Sequence, residues 1–289
     1  MSTTPEGLDR LSALLDRFRV RAHMFHNGPL CGVTRFTPEA GLGFLHVMRR
    51  GTMVVTHRAG TGSGAPSRVE VTEPSLVFYP RPLAHDFHNA PVEGADFTCA
   101  TLAFEGGAGH PLARALPALV VLPLSRVQGL EHTLALLFAE TEQVRCGQRL
   151  LADKLFEVLL LQLLRWLLDN PPEGGAPEGL LAGLAEPRLA RALSAVHENP
   201  GEAWSLERLA QTAGMSRSAF ALLFKQKVGQ TPADYLASWR LAIAQAELRG
   251  GQSLKAIAAQ LGYASASALS RLFVQKAGVS PREWVKALA

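Results

Sequence analysis

The chain has 289 residues, 47% hydrophobic and 19% charged, with a mean hydropathy of +0.10 and a formal net charge of +4. At roughly 100–200 residues per domain this length predicts two domains, and the balance excludes a disordered, collagen-like or disulfide-stapled chain, since Cys31, Cys99 and Cys146 are the only cysteines. The opening MSTTPEGLDR lacks a basic start and an apolar run, and the most apolar stretch, 155–168, is interrupted by Glu157, Gln162 and Arg165, so a cytoplasmic protein without a membrane partner is expected.

In chain order, residues 28–104 read as short strands. Stretches 44–48, 52–56, 68–71, 75–78 and 97–104 carry β-branched and aromatic residues, and turn formers separate them at 51–52, 59–67, 73–74, 79–82 and 89–95. Such spacing predicts a small antiparallel barrel or sandwich. From about Leu112 the apolar period lengthens, and 128–144 and 149–168 read as helices separated at Cys146-Gly147. The broad leucine stripe of the second helix, through Leu151, Leu155, Val158 and Leu159, suits either internal packing or contact with a second copy. A Pro/Gly cluster at 171–179 reads as a linker, and everything after Pro187 has a helical pattern. Residues 186–289 hold 13 Lys+Arg against 7 Asp+Glu, a net of +6, whereas the other 185 residues sum to −2. That asymmetry points the carboxyl-terminal third towards a polyanion.

The same third repeats itself. Ser205-Leu206, Ala210 and Gly214-Met215 recur 48 residues later as Ser253-Leu254, Ala258 and Gly262-Tyr263. After one inserted residue, Ser216, Phe220, Phe224, Gln226-Lys227, Gly229, Pro232 and Tyr235 recur as Ser265, Leu269, Phe273, Gln275-Lys276, Gly278, Pro281 and Trp284. Each copy has the parts of a helix-turn-helix: a serine N-cap, a small alanine where the helices approach, a glycine turn and a second serine-capped helix. The inner faces are Phe220, Leu223 and Phe224, and Leu269, Leu272 and Phe273. Arg217, Ser218, Ala221, Leu222 and Lys225 are left outward in one copy, and Ser267, Ala268, Ser270 and Arg271 in the other, with Lys276 at the margin of that face and the cap Ser265 beside it as a further contact candidate. Between the copies, Thr231-Pro232-Ala233-Asp234 starts a helix that Gly250-Gly251 ends. About 17 residues at ~1.5 Å each make a rod of roughly 25 Å, able to hold two helices about one DNA turn apart.

Over 187–286 this set of residues closely resembles the AraC/XylS family of transcription regulators. The resemblance implies double-stranded DNA and RNA polymerase as partners, with the outward residues and Arg240 of the connecting helix contacting DNA. Ala221 and Leu222 depart from the long polar side chains that often occupy the first reading helix. Phosphate contacts from Arg217 and Lys225, with apolar contact to thymine methyls, are expected there instead, and Arg271 is the best candidate for reading a base. Arg240 suits a DNA-backbone contact or a salt bridge to Asp234 or Glu247.

Residues 73–80 followed by His85 resemble the second cupin motif, and His46 with Gly51 part of the first. The fold class expected is therefore α+β: a cupin-like sensor barrel at 1–110, a helical dimerisation segment at 111–170, a flexible linker at 171–186 and an all-α DNA-binding domain with two helix-turn-helix motifs at 187–289. A homodimer through the helical segment follows from the resemblance. The His-x-His pair and nearby Glu of cupin oxygenases are missing, because Val47 and Met48 follow His46, so no enzyme is expected; the alternative is a cupin-type metal enzyme fused to a DNA-binding domain. Cys31, His46, His85 and Cys99 could hold Zn or another divalent metal if all pointed inward, could form a redox-active thiol pair helped by Arg35, Arg49 and Arg50, or could be inert core. A small organic effector lined by Phe36, Phe44, Met48 and Phe87 is the rival signal.

Overall fold

A computed structural model describes residues 7–57, 64–171 and 179–287. Most of the glycine-rich turn at 59–67 and of the linker at 171–179 lies outside them. None of the described helices is long and apolar enough to cross a membrane. The chain divides into two compact units, Arg19–Asn170 and the paired segments Met1–Phe18 and Pro171–Ala289. The opening helix α1 (Ser12–Arg17) thus goes with the carboxyl-terminal third, a departure from the expected 1–110 boundary. Its packing gives the reason: Phe18 meets Trp239 edge-on at 5.1 Å, and Arg17 donates to the carbonyls of His197 and Glu198 at 3.2 and 3.3 Å.

In the first unit, β1 (Val20–Leu30), β2 (Val33–Phe36), β3 (Leu42–Arg50), β4 (Met53–His57), β5 (Arg68–Val71), β6 (Ser75–Tyr79), β7 (His85–Asn89), β8 (Ala95–Phe104) and β9 (Val120–Pro123) form two antiparallel sheets, ordered β1-β8-β3-β6-β9 and β2-β7-β4-β5. Alternation sets the faces: in β4, Met53, Val55 and His57 are buried while Val54 and Thr56 are partly exposed. Phe44, Met48, Val55, Tyr79, Phe87 and Phe97 fill the interior. The strand β1 is long, bulged between Met24 and His26, and rich in His, Asn, Gly and Pro, which hid most of it from strand propensity. The short helix α2 (Pro111–Ala115) precedes β9, and α3 (Leu130–Glu142) and α4 (Gln148–Asp169) follow it. Two acids of α4 complete the edge of β1: Met24 N–H donates to Asp153 Oδ1 at 2.7 Å and Ala22 N–H to Glu157 Oε1 at 3.4 Å. The inner face of α4 buries Phe156, Leu159, Leu160 and Leu163, whereas Leu150, Leu151, Val158 and Leu161 stay 36–62% exposed.

The second unit adds α5 (Leu180–Ala185), α6 (Pro187–Glu198), α7 (Leu206–Thr212), α8 (Arg217–Val228), α9 (Pro232–Arg249), α10 (Leu254–Gln260), α11 (Ala266–Ala277) and α12 (Pro281–Lys286). Helix α5 falls within the segment read as a flexible linker. It is ordered because Leu180, Ala182 and Leu184 are buried, and Gly183 lies so close that an added Cβ would meet Leu193 and Val228 at 2.8 Å.

Candidate nucleic-acid interface and barrel centre

Both repeats fold as turn-linked helix pairs with matching caps. Ser205 and Ser253 accept from the backbone N–H of Arg208 and Ala256, and Ser216 and Ser265 from Ala219 and Ala268. The turns close with Met215 N–H on Ala210 O at 2.9 Å and Tyr263 N–H on Ala258 O at 2.8 Å. Gly214 and Gly262 take φ of +66° and +73°, a region that favours glycine. At Gly262 there is a second constraint, since an added Cβ would fall 2.0 Å from the carbonyl oxygen of Gly201. The connecting helix α9 has 18 residues, about 27 Å at ~1.5 Å per residue.

Phe220, Phe224 and Val228 are buried on α8, and Leu269 and Phe273 on α11, while Leu223 and Leu272 are half-buried. Arg217, Ser218, Leu222 and Lys225 are exposed on α8 and Ala221 is half-buried beside them. On and before α11, Ser265, Ser267 and Arg271 are exposed, with Ala268 and Ser270 half-buried; Ser265 already serves as the cap. Arg240 makes no salt bridge to Asp234 or Glu247 among the described residues. Its guanidinium donates to Pro200 O at 2.7 Å and Glu202 O at 2.8 Å and lies 5.3 Å from the Tyr263 ring centroid. Asp234 takes Lys276 instead, at 3.0 Å.

In the barrel, the four residues considered as one sensor set are split. His46 and His85 are fully buried and their Nε2 atoms are 3.1 Å apart. His85 Nδ1–H donates to Leu83 O at 2.8 Å, leaving its Nε2 as acceptor, so His46 Nε2 carries the shared proton and His46 Nδ1 is a bare, buried acceptor with no partner among the described residues. Tyr79 stacks on His85 at 4.0 Å and donates to His57 Nε2 at 2.9 Å. Burial, reinforced by the neighbouring His85 and His26, holds the His46 pKa well below its ordinary value; burial lowers that of His85 to about 4. His57 lies outside the residues singled out in the sequence, although the inward alternation of β4 points to it, and Tyr79 figures there only as part of the 73–80 motif.

Cys31 lies in the turn after β1, exposed, with Sγ 3.8 Å from Val92 O. Cys99 is buried on β8 opposite His46, and desolvation pushes its thiol pKa well up. Since Cys99 pairs with His26 on β1 and Cys31 follows Leu30, the two cysteines stand about five residues, or roughly 16 Å, apart along the strand; a disulfide needs Cα atoms within about 7 Å. Arg35, Arg49 and Arg50 approach carboxylates, Arg35 that of Asp86 and the other two that of Asp96, and Arg49 also stacks on Phe138 at 4.2 Å. No group of three or more His, Cys, Asp or Glu among the described residues is arranged to hold a metal ion, so a tetrahedral Zn centre does not fit. Phe36, Phe44, Met48 and Phe87, considered as an effector lining, pack into the barrel core.

A cupin family model matches residues 9–169, more than half of the chain, and a helix-turn-helix domain model matches 209–287. A putative AraC-like transcription regulator of Streptomyces antibioticus is 37% identical over 59% of this chain and 57% of its own length. The RCS-specific HTH-type transcriptional activator RclR of Escherichia coli K12 is 30% identical over 73% of this chain and 74% of its own. The chain thus spans somewhat under three fifths of the first of these relatives. A solved DNA-binding domain of AdpA in complex with a target DNA is 30% identical over 34% of this chain and 89% of that one, with a TM-score of 0.33. With a cupin domain ahead of a doubled helix-turn-helix, the chain belongs to the AraC-like family of transcription regulators.

Proposed function

We propose that the protein is a DNA-binding transcription regulator and not an enzyme, in which the helical unit reads duplex DNA through α8 and α11 and the barrel receives a signal. The observation that carries this is the duplicated, identically capped helix-turn-helix whose second helices leave their outer faces open and are joined by one uninterrupted helix. Arg271 reads a base edge, Arg217 and Lys225 hold phosphates, and Ser218, Ala221, Leu222, Ser267, Ala268 and Ser270 supply short polar or apolar contacts. Arg240 braces the turn of the second motif instead.

The exposed Leu150, Leu151, Val158 and Leu161 of α4 support pairing with a second copy of this chain, since one helix face carries them all. Signal reception is assigned to the barrel interior around His46 and His85. His85, His57 and the Tyr79 hydroxyl at this centre are hydrogen-bonded, whereas the buried His46 Nδ1 has no partner among the described residues, which is costly to keep and is the polar feature there that stability alone does not account for. The signal biases the barrel between two packings, and so changes how the DNA-binding units are presented.

The test is fluorescence anisotropy of the full chain with duplexes selected from a randomised pool. Affinity falls steeply with salt, Arg217→Ala and Lys225→Ala each weaken binding to all sequences, and Arg271→Ala loses about 10-fold or more on the selected site while relaxing preference at one position. Binding indifferent to salt and to all three substitutions overturns the reading.

A further inference from the structure

A groove of about 460 Å³ opens within the helical unit, between the first helix-turn-helix and α9, a size in the ordinary range for small-molecule sites. Its walls are apolar: Leu206 and Leu209 from α7, Leu236 and Ala237 from α9, and the rings of Trp204 and Tyr263. An apolar hollow of this kind is not filled by a DNA phosphate, which carries no hydrophobic body.

The charge along the groove has one sign. Lys225 lines it and has no carboxylate partner among the described residues. Arg240 also lines it, with its hydrogen bonds used on carbonyl oxygens, so its charge is not neutralised. The nearest acid on α9, Asp234, is occupied by Lys276 and by Thr231 Oγ1, at 3.0 and 2.7 Å. An apolar cleft with unneutralised cations at its wall suits a molecule with a hydrophobic body and one acidic group.

We propose that this groove is a binding site for a small amphipathic organic anion, its apolar body between Trp204, Leu209 and Leu236 and its acidic group at Lys225, and that its occupant competes with DNA. The competition rests on the reading of α8 as a DNA-contacting helix, because Ala221 and Lys225 both line the groove and belong to the outer face of that helix. An occupant there takes the cation that would hold a phosphate and stands beside the helix where the duplex must approach.

The probe is 1-anilinonaphthalene-8-sulfonate, titrated into the full chain and followed by its fluorescence. Saturable binding is expected. It should weaken at least 10-fold in Ala237→Phe, which fills the groove, and several-fold in Lys225→Gln, whose exposed site leaves folding intact. In the wild type, saturating dye should weaken duplex binding several-fold, and in Ala237→Phe it should no longer do so. Dye binding that is non-saturable, or equal in wild type, Lys225→Gln and Ala237→Phe, overturns the site. Undiminished duplex affinity at saturating dye overturns the competition. A chain that binds no duplex at all, yet loses dye in both variants, overturns the DNA-reading assignment and with it the competition, but leaves the anion site standing.

Discussion

Cys99 and Cys31 differ in what their surroundings allow. The thiolate is the reactive form, and burial of Cys99 opposes it, whereas Cys31 and Cys146 are exposed. Thiol labelling of the native protein should therefore count two fast groups, with Cys99 reacting only on unfolding; three fast thiols would contradict this placement. A Cys31–Cys99 bridge should not form under mild oxidant, and intact-mass analysis checks that directly. The histidines carry a pH signature. His85 titrates near 4 when folded against about 6.5 when unfolded, so the unfolded chain binds more protons across that interval. Its contribution to stability is complete above about 6.5 and is lost as pH falls to about 4, amounting to roughly 3 kcal/mol at ~1.4 kcal/mol per pH unit. Urea unfolding of the barrel between pH 7.5 and 4.5 should show this decline, and His85→Gln should make it shallower while the part due to buried His46 remains; an unchanged slope in that variant would remove His85 as a titrating group.

At the scale of elements, the turn glycine Gly262 and the α11 C-cap glycine Gly278 provide a paired comparison. Gly262 has a left-handed φ and the Gly201 carbonyl against it, whereas Gly278 has a similar φ of +74° and open space around its Cβ position. Gly278→Ala should cost about 1 kcal/mol, from backbone strain alone, and Gly262→Ala several times that, because the backbone at Gly201 must move as well. Equal costs in thermal unfolding would show that the contact does not matter. The repeated motif was legible in the sequence because its signals are local: serine caps, a glycine at a forced conformation and a fixed spacing of buried aromatics. The long helices at 128–144 and 149–168 appear as α3 and α4 for the same reason. What escaped depended on tertiary contact. Most of β1 is hidden by polar and helix-breaking residues whose exposed backbone is completed by α4, α5 is ordered only by its neighbours, and α1 joins the helical unit through Phe18 and Arg17. Arg240 reads as a surface cation, yet its partners are carbonyls about 40 residues away in the chain. Likewise, Cys31, His46, His85 and Cys99 are compatible with one site in the sequence, and only strand register separates Cys31 from the rest.

For the whole molecule, a barrel with a polar centre shares the chain with a unit in which α8 and α11 are proposed to read DNA, and the leucine-bearing helix α4 is the surface proposed for a second copy. Leu151→Glu with Val158→Glu should shift sedimentation from dimer to monomer while leaving the circular dichroism spectrum unchanged, because both positions are more than 40% exposed; an unaltered assembly state would place the contact elsewhere. In the proposed mode of binding, α9 holds α8 and α11 so that both read one face of a duplex. Selection of binding sites from a randomised duplex pool by the full chain, followed by sequencing, tests it most directly. The expected result is two short preferred elements about one helical turn, roughly 10 base pairs, apart, the one read by α11 lost in Arg271→Ala and the other retained. A single uninterrupted element insensitive to Arg271→Ala, or a pool that fails to enrich, would contradict it.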